Sequence, residues 1–402
     1  MKLLKLHIEN FRSLRDVTWE PGDLNVLIGP NAGGKSNLLK AIDLLAAAAD
    51  GRLRDHVTKQ GGIGSLVWNG TSENIGFDVQ VTHSEPRNTE VQYGRSSYEL
   101  SLKRTEKSTA YTIDEEFLNC DSPEKNDFFP HAYIDRRHMD GWAGWVFDDI
   151  NSRQHSFSPD AINAGETLLS LAAHPMLGAR LVSQVGRYFS GWSAYQAFRT
   201  DREASVRWAE TSRRETVVGA NGANLVSVLH TLYSDNSAFE SDINDAMFAA
   251  FGDEFVKLVF SPDAADQRIQ FKVRWKSLDN PVPASDLSDG TLRYLYLLAI
   301  LANPNPPPLI AIDEPETGLH PRMLSYIAEF AAEAARRTQV VFTTHSAEFL
   351  DALTPFNPTT TIVESQNSET KVQNVAKETL DHWLKGYTLG ELFRSNGLEA
   401  MT

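Results

Sequence analysis

Gly29-Pro30-Asn31-Ala32-Gly33-Gly34-Lys35-Ser36 brings three glycines, a lysine and a hydroxyl into one short stretch. The spacing Gly, four residues, Gly, Lys, Ser suits a phosphate chain. Glycines let the backbone curl its N–H groups around phosphate oxygens at the start of a helix. Lys35 would reach the outer phosphates, and Ser36 would offer its hydroxyl to Mg2+. The ligand implied is a nucleoside triphosphate with magnesium. The flanks agree: residues 24–28 are short and apolar enough for a buried strand, and residues 36–45 carry helical periodicity. The loop therefore joins strand to helix.

Leu309-Ile310-Ala311-Ile312-Asp313-Glu314 is an apolar strand that ends in two carboxylates. Strand alternation would point the two apart, which suits two tasks. Asp313 is expected in the Mg2+ shell, and Glu314 is expected to orient and polarise the attacking water. Thr343-Thr344-His345-Ser346 follows a second apolar strand, and His345 is placed to contact the outer phosphate or that water. Ser288-Asp289-Gly290 precedes a long apolar helix over 291–301. Ser288 and Gly290 would stand near its N-terminus, where backbone N–H groups favour phosphate oxygens. A second phosphate-binding helix start is explained if it caps a nucleotide held by another subunit. An ordinary serine N-cap explains the same residues without a ligand.

The elements that must carry these residues are spread along 402 residues, long for one core, so two lobes or an insertion are expected. A first strand runs over 4–11 and ends at Arg12-Ser13. Residues 75–81 and 98–102 read as strands of a small additional sheet. Helical patterns at 166–173, 179–189, 225–233 and 239–251 make 120–255 a mostly helical insertion. Strand alternation returns at 269–275. The expected organisation is an N-terminal ATPase part over 1–119, the insertion over 120–255, and a C-terminal part over 256–402 with a short helical tail.

One cysteine, Cys120, excludes a disulfide within the chain and fits a reducing, cytoplasmic setting. No secretory signal opens the sequence, and no apolar run approaches the roughly 20 residues that span a bilayer, so no membrane partner is expected. The formal charge of −15 argues against a generally basic DNA-coating surface. Local basic clusters exist at Arg136-Arg137-His138 and at Arg199, Arg202, Arg207, Arg213 and Arg214. These are read first as solvated faces and ion pairs, and second as nucleic-acid contacts.

Asn10-Phe11-Arg12-Ser13, Gly29 to Ser36, Leu287 to Gly290, Ile312 to Pro315 and Thr344 to Ser346 together resemble the ABC-type ATPases of the chromosome-maintenance, DNA-repair and overcoming-lysogenisation-defect (SMC/RecF/OLD) branch. The resemblance implies an α/β P-loop NTPase fold of ABC type, a two-lobed ATPase head. It implies a head-to-tail homodimer with two ATP–Mg2+ between the loop of one subunit and Ser288 to Gly290 of the other. Arg12, Asn31, Gly33, Gly34, Lys35, Ser36, Asn37, Ser288 and Gly290 are the nucleotide contacts so implied, Ser36 and Asp313 the metal ligands, and Glu314 and His345 the catalytic pair. A coupling contact maps to Glu316-Thr317-Gly318-Leu319-His320-Pro321.

Departures from the family pattern are informative. The second helix start reads Leu-Ser-Asp-Gly-Thr rather than Leu-Ser-Gly-Gly-Gln, so Asp289 sets a negative charge beside the expected phosphate. The glutamine usual at the metal and water has no assigned counterpart, and Gln154 is not counted among the site residues. No extended heptads fill the insertion, so long coiled-coil arms are not expected. Only 57 residues follow His345, too few for the nuclease domain of the overcoming-lysogenisation-defect enzymes. The chain is thus similar to compact stand-alone ATPases found beside a separate effector in bacterial anti-phage systems. The leading expectation is an ATP-hydrolysing switch that controls a protein or DNA partner, in defence or repair. A slow ATP-gated scaffold is the alternative, and a monomeric small-molecule kinase comes third.

Overall fold

The computed structural model describes residues 1–87, 90–105, 109–120, 131–137, 144–147, 154–157, 165–172, 180–211, 213–262 and 268–398. The chain divides into two compact α/β units assembled from separated stretches. Met1–Gly22, Ile28–Trp192 and Thr361–Asn374 make the first; Asp23–Leu27, Ser193–Thr360 and Val375–Thr402 make the second. Strands and helices are numbered in chain order below.

In the first unit, β1 (Lys2–Phe11) and β2 (Leu14–Trp19) form a hairpin turned by Arg12-Ser13. β4 (Asn74–Arg87), β5 (Glu90–Arg104), β6 (Tyr111–Cys120), β7 (His131–Arg137), β8 (Gly144–Phe147) and β9 (Gln154–Phe157) extend it. The result is an eight-stranded antiparallel sheet of order β2-β1-β4-β5-β6-β7-β8-β9. Period-two alternation buries Leu6, Ile8, Ile75, Phe77 and Val79, and leaves His7, Glu9 and Asp78 on the other face. The helices of this unit are α1 (Lys35–Ala49), α2 (Leu53–Lys59), α3 (Leu168–Ala172) and α4 (Arg180–Ser190). α1 buries Leu38, Leu39, Ala41, Ile42, Leu44 and Leu45, an apolar surface too wide for a one-sided amphipathic helix. Phe189 of α4 packs its ring against Tyr98 at 5.6 Å between centroids.

This arrangement revises two expectations. The strands at 75–81 and 98–102 do not form a separate small sheet, because β4 pairs directly with β1. Within 120–255, residues 131–137, 144–147 and 154–157 contribute β7 to β9, and among the described residues the first helix starts at Leu168. Short strands with few alternating apolar residues gave no period to read. Of the helices expected over 166–173 and 179–189, residues 173 and 179 lie outside the described residues, as does His138 of the first basic cluster.

In the second unit, β10 (Ser193–Tyr195), β15 (Leu309–Asp313), β16 (Gln339–Thr344) and β3 (Leu24–Ile28, its last residue belonging to the first unit) lie side by side in that order. β10, β15 and β16 pair in parallel. Such strands are buried on both faces, which accounts for the unbroken apolar runs. The one polar residue in β3, Asn25, donates its side-chain amide to Val340 O at 3.0 Å. α5 (Leu225–Asp235), α6 (Ser237–Phe251), α7 (Asp289–Leu301), α8 (Pro321–Ala335) and α9 (Ala347–Leu353) supply the helices. A smaller antiparallel sheet joins β11 (Glu210–Thr211), β12 (Phe255–Pro262), β13 (Arg268–Trp275) and β14 (Val282–Pro283). The tail forms α10 (Lys377–Trp383) and α11 (Leu389–Arg394), the latter started by a Thr388–Glu391 capping box. The chain returns to the first unit in β17 (Thr359–Gln366), which pairs with β18 (Glu369–Asn374) as a hairpin. Among the described residues the longest helices have 15 residues, so none forms an extended arm, and none is long and apolar enough to cross a membrane.

Candidate functional site

In the first unit the loop leaves Ile28 and enters α1 at Lys35. Gly29, Ala32 and Gly34 have φ of +149°, +64° and +111°, the left-handed region that favours glycine. Glycine is also needed for close approach: a Cβ on Gly29 would lie 1.9 Å from Val363 O, and one on Gly34 would lie 2.1 Å from Thr370 Oγ1. Lys35 is buried, and its Nζ donates to Gly29 O at 2.8 Å and Pro30 O at 3.0 Å. Asn31 is exposed at the loop tip and Ser36 half-buried.

A hydrogen-bond chain fixes this loop to the β1–β2 turn. Asn37 Nδ2 donates to Ser13 Oγ at 2.8 Å, Ser13 Oγ lies 2.6 Å from Thr370 Oγ1, and Thr370 Oγ1 lies 3.0 Å from Gly33 O. Thr370 N also donates to Ser13 O at 2.8 Å. Asn37, expected at the nucleotide, is thus engaged with the turn. Arg12, next to Ser13, has φ +53° and donates Nη2 to Gln60 Oε1 at 2.8 Å. Its Nε is buried without a hydrogen-bond partner, and burial pushes the guanidinium below its ordinary pKa.

In the second unit the parallel register sets Asp313 opposite Thr343 at the ends of β15 and β16. Thr343 Oγ1 donates to Asp313 Oδ1. Glu314 N donates to Thr343 O at 3.1 Å and approaches its Oγ1 at 3.2 Å. Glu314 is not a further strand residue: its φ is +46°, a strained value for a side chain with a Cβ. The two carboxylates therefore diverge through this turn rather than through strand alternation. Glu314 Oε1 lies 3.1 Å from His345 Nδ1, and both side chains are accessible.

Glu316 braces the pair. Its Oε1 accepts from Thr344 Oγ1 at 2.6 Å and from His345 N at 3.3 Å, while Oε2 is buried without a partner. Gly318 then turns with φ +75°, and His320 caps α8 by accepting from Arg322 N at 3.2 Å. A Cβ on Gly290 would sit 2.9 Å from Gly318 O, so the start of α7 is packed on this turn. Ser288 does cap α7, accepting from Thr291 N at 3.2 Å.

Three relevant residues escaped the sequence reading. Gln196 directly follows β10, whose register with β15 runs along Ile310 to Ile312, and it lines a cavity of about 40 Å³ beside Asp313 and Glu314. A three-residue strand gave no pattern to find it. Gln154, by contrast, starts β9 opposite Phe147 in the first unit's sheet. Thr370 lies far along the chain in a hairpin without a motif. Arg207, one of a cluster read as solvated faces and ion pairs, is buried and bound to the start of α7, a placement that its sequence neighbourhood does not single out. Other members of the basic clusters are also paired: Arg136 with Glu116 at 3.7 Å, Arg199 with Asp201 at 2.8 Å and Arg214 with Asp235 at 3.2 Å. Solvated and internal ion pairs account for these arginines.

Known proteins share this architecture. The chain is 22% identical over 360 residues to an OLD nuclease of Thermus scotoductus, covering 87% of this chain and 60% of the nuclease. It is 52% identical over 50 residues to the DNA replication and repair protein RecF of Moorella thermoacetica, 12% of this chain and 13% of RecF. The chain thus spans less than two thirds of the length of these relatives. Its fold is similar to that of an Smc head solved in complex with the C-winged helix domain of ScpA, with a TM-score of 0.55 at 11% identity over 94% of this chain and 99% of the head. The fold is accordingly that of an AAA/ABC-type ATPase head. A family model described as "AAA domain, putative AbiEii toxin, Type IV TA system" matches residues 24–351, and the chain belongs to that family.

Proposed function

We propose that this protein is an ATP-hydrolysing switch: a head-to-tail homodimer closes around two ATP–Mg2+ and controls a separate protein or DNA effector. The observation that carries the reading is the meeting of Glu314 and His345 at 3.1 Å, on a strained turn directly after Asp313. Strain of this kind, held by a braced neighbour, suits a group kept in place for chemistry.

The residues fit the ligand. Lys35 carries an ammonium already inside the loop, and Arg12 Nε is a buried donor still without a partner, which suits phosphate oxygens. Ser36 and Asp313 supply hard oxygen ligands of the kind Mg2+ takes. Magnesium held there would neutralise developing charge on the phosphates. Glu314 would orient the attacking water and accept its proton, and His345 would hold that carboxylate in place. Ser288 and Gly290 would meet the nucleotide of the partner subunit, making closure depend on ATP.

An effector is supported by the relatives. The similar Smc head was solved bound to a domain of ScpA, and RecF is named for DNA replication and repair. The family description, with its toxin and toxin–antitoxin terms, favours a defence setting. The test replaces Glu314 with Gln and measures mass with and without ATP–Mg2+, together with turnover. A nucleotide-dependent dimer that no longer hydrolyses supports the switch. Undiminished turnover removes Glu314 from its role, and a monomer under all conditions removes the sandwich.

A further inference from the structure

Asp289 places a carboxylate between Ser288 and Gly290, and that side chain is 65% exposed. An uncompensated anion there would repel any phosphate approaching the turn. Arg207 answers this charge from within the fold. Its side chain is only 9% exposed, and Nη2 donates to Asp289 Oδ1. The same guanidinium donates through Nη1 to the carbonyls of Ala284 at 3.1 Å, Ser285 at 3.1 Å and Leu287 at 2.8 Å, and through Nε to Thr200 O at 2.7 Å. It thus holds the backbone that leads into α7 and turns three carbonyl oxygens toward itself. A planar fork with five donors can do this; a lysine ammonium on a flexible stem cannot match it.

The segment that carries Arg207 also reaches the carboxylates. It starts at β10 beside β15, passes Gln196 at the cavity next to Asp313, and stacks Phe198 on Tyr296 of α7 with centroids 4.0 Å apart and planes at 4°. We infer that Arg207 is a positioning residue for the proposed composite ATP site: by pairing with Asp289 and gathering the preceding carbonyls, it makes Ser288 to Gly290 electrostatically fit to receive a nucleotide phosphate from a second copy of this chain. The inference rests on the reading of Ser288 to Gly290 as the phosphate-facing turn.

The test is a charge-rescue cycle in the Glu314→Gln background, read as the ATP-dependent dimer association constant by sedimentation, with monomer affinity for a fluorescent ATP analogue measured alongside. Arg207→Ala is expected to weaken association roughly a hundredfold while the monomer still binds the analogue. Adding Asp289→Asn, which removes the stranded charge, is expected to recover about tenfold or more. Arg207→Lys is the milder variant should Arg207→Ala fail to fold; it keeps the charge and loses the fork, and falls between the two. A double variant no better than Arg207→Ala overturns the charge role and reduces Arg207 to a backbone brace; undiminished association in Arg207→Ala overturns the inference outright. Absence of an ATP-dependent dimer in the Glu314→Gln parent itself instead overturns the phosphate-facing reading, and the role of Arg207 falls with it.

Discussion

Glu314 Oε1 and His345 Nδ1 stand 3.1 Å apart although they lie 31 positions apart in the chain, because β15 and β16 run in parallel with Asp313 opposite Thr343, so that each residue follows directly after its strand. If Glu314 serves as the base, Glu314→Gln keeps its shape and removes proton acceptance. The expected loss in kcat is roughly 10²–10⁴-fold, with KM for ATP changed little. His345→Ala frees the Glu314 carboxylate without removing it, so a smaller fall in kcat is expected. Steady-state phosphate release measures both, and a His345 variant more damaged than the Glu314 variant would reverse the two roles.

Gly34 is under two constraints that can be separated. Its φ of +111° disfavours any Cβ, and an added Cβ would lie 2.1 Å from Thr370 Oγ1 and 2.7 Å from its Cγ2. Gly34→Ala is expected to cost about 1–2 kcal/mol for the left-handed backbone and about 1–3 kcal/mol for overpacking. Thermal unfolding and nucleotide titration both register it. Thr370→Ala in the same chain should recover only part of the packing share, since the Thr370 Cβ stays 2.9 Å from the added carbon, the hydroxyl that binds Gly33 O is lost, and the backbone strain remains. Complete recovery would show that φ at this position carries no cost.

The motifs were legible because each is a local event: a glycine-rich turn between an apolar strand and a helix, and carboxylates at the end of an apolar strand. What binds them was not. Thr370 fastens Gly33 and Ser13 through hydrogen bonds spanning more than 300 positions, and no local pattern announces such a partner. Glu314 was expected to continue the alternation of its strand, but the chain turns left-handed at that residue, a choice made by Thr343 and the neighbouring strand. The strands β8 and β9 were missed for a different reason: they have four residues each, the shortest run over which alternation can be read.

Gln196 provides a test of the cavity beside the carboxylates. It directly follows β10, whose register places Tyr195 opposite Ile312, so the end of the sheet sets its starting point beside the cavity. Should Asp313 hold Mg2+, a carboxamide lining the same cavity would act on the ion or its water. Gln196→Ala is then expected to raise the Mg2+ concentration for half-maximal turnover by about 10–100-fold, with thermal stability nearly unchanged. Magnesium titration at saturating ATP checks it; an unaltered midpoint would confine Gln196 to packing.

Glu116 tests the first unit through its pH dependence. Its side chain is fully buried, accepting from Leu168 N at 2.7 Å, Leu169 N at 2.9 Å and Tyr98 Oη at 3.0 Å, with Arg136 at 3.7 Å. Burial pushes its carboxyl above the ordinary 4.5, opposed by the Leu168 and Leu169 amides, Arg136 and Tyr98. A raised pKa means that the folded chain holds this proton more tightly than the unfolded chain. The contribution of Glu116 to stability is therefore full below the ordinary value of 4.5 and is lost as pH rises through the raised folded value. Glu116→Gln removes the titration, so the Tm advantage of the natural chain over this variant should shrink as pH rises above the ordinary value of 4.5. An advantage that grows with pH would mean that the Arg136 ion pair and the helix amides outweigh burial. Glu116→Ala removes the buried carboxylate opposite Arg136, which keeps its bond to Glu166 O at 2.7 Å, and a loss of about 3–5 kcal/mol is expected by denaturant titration, since it also leaves the first amides of α3 without their acceptor.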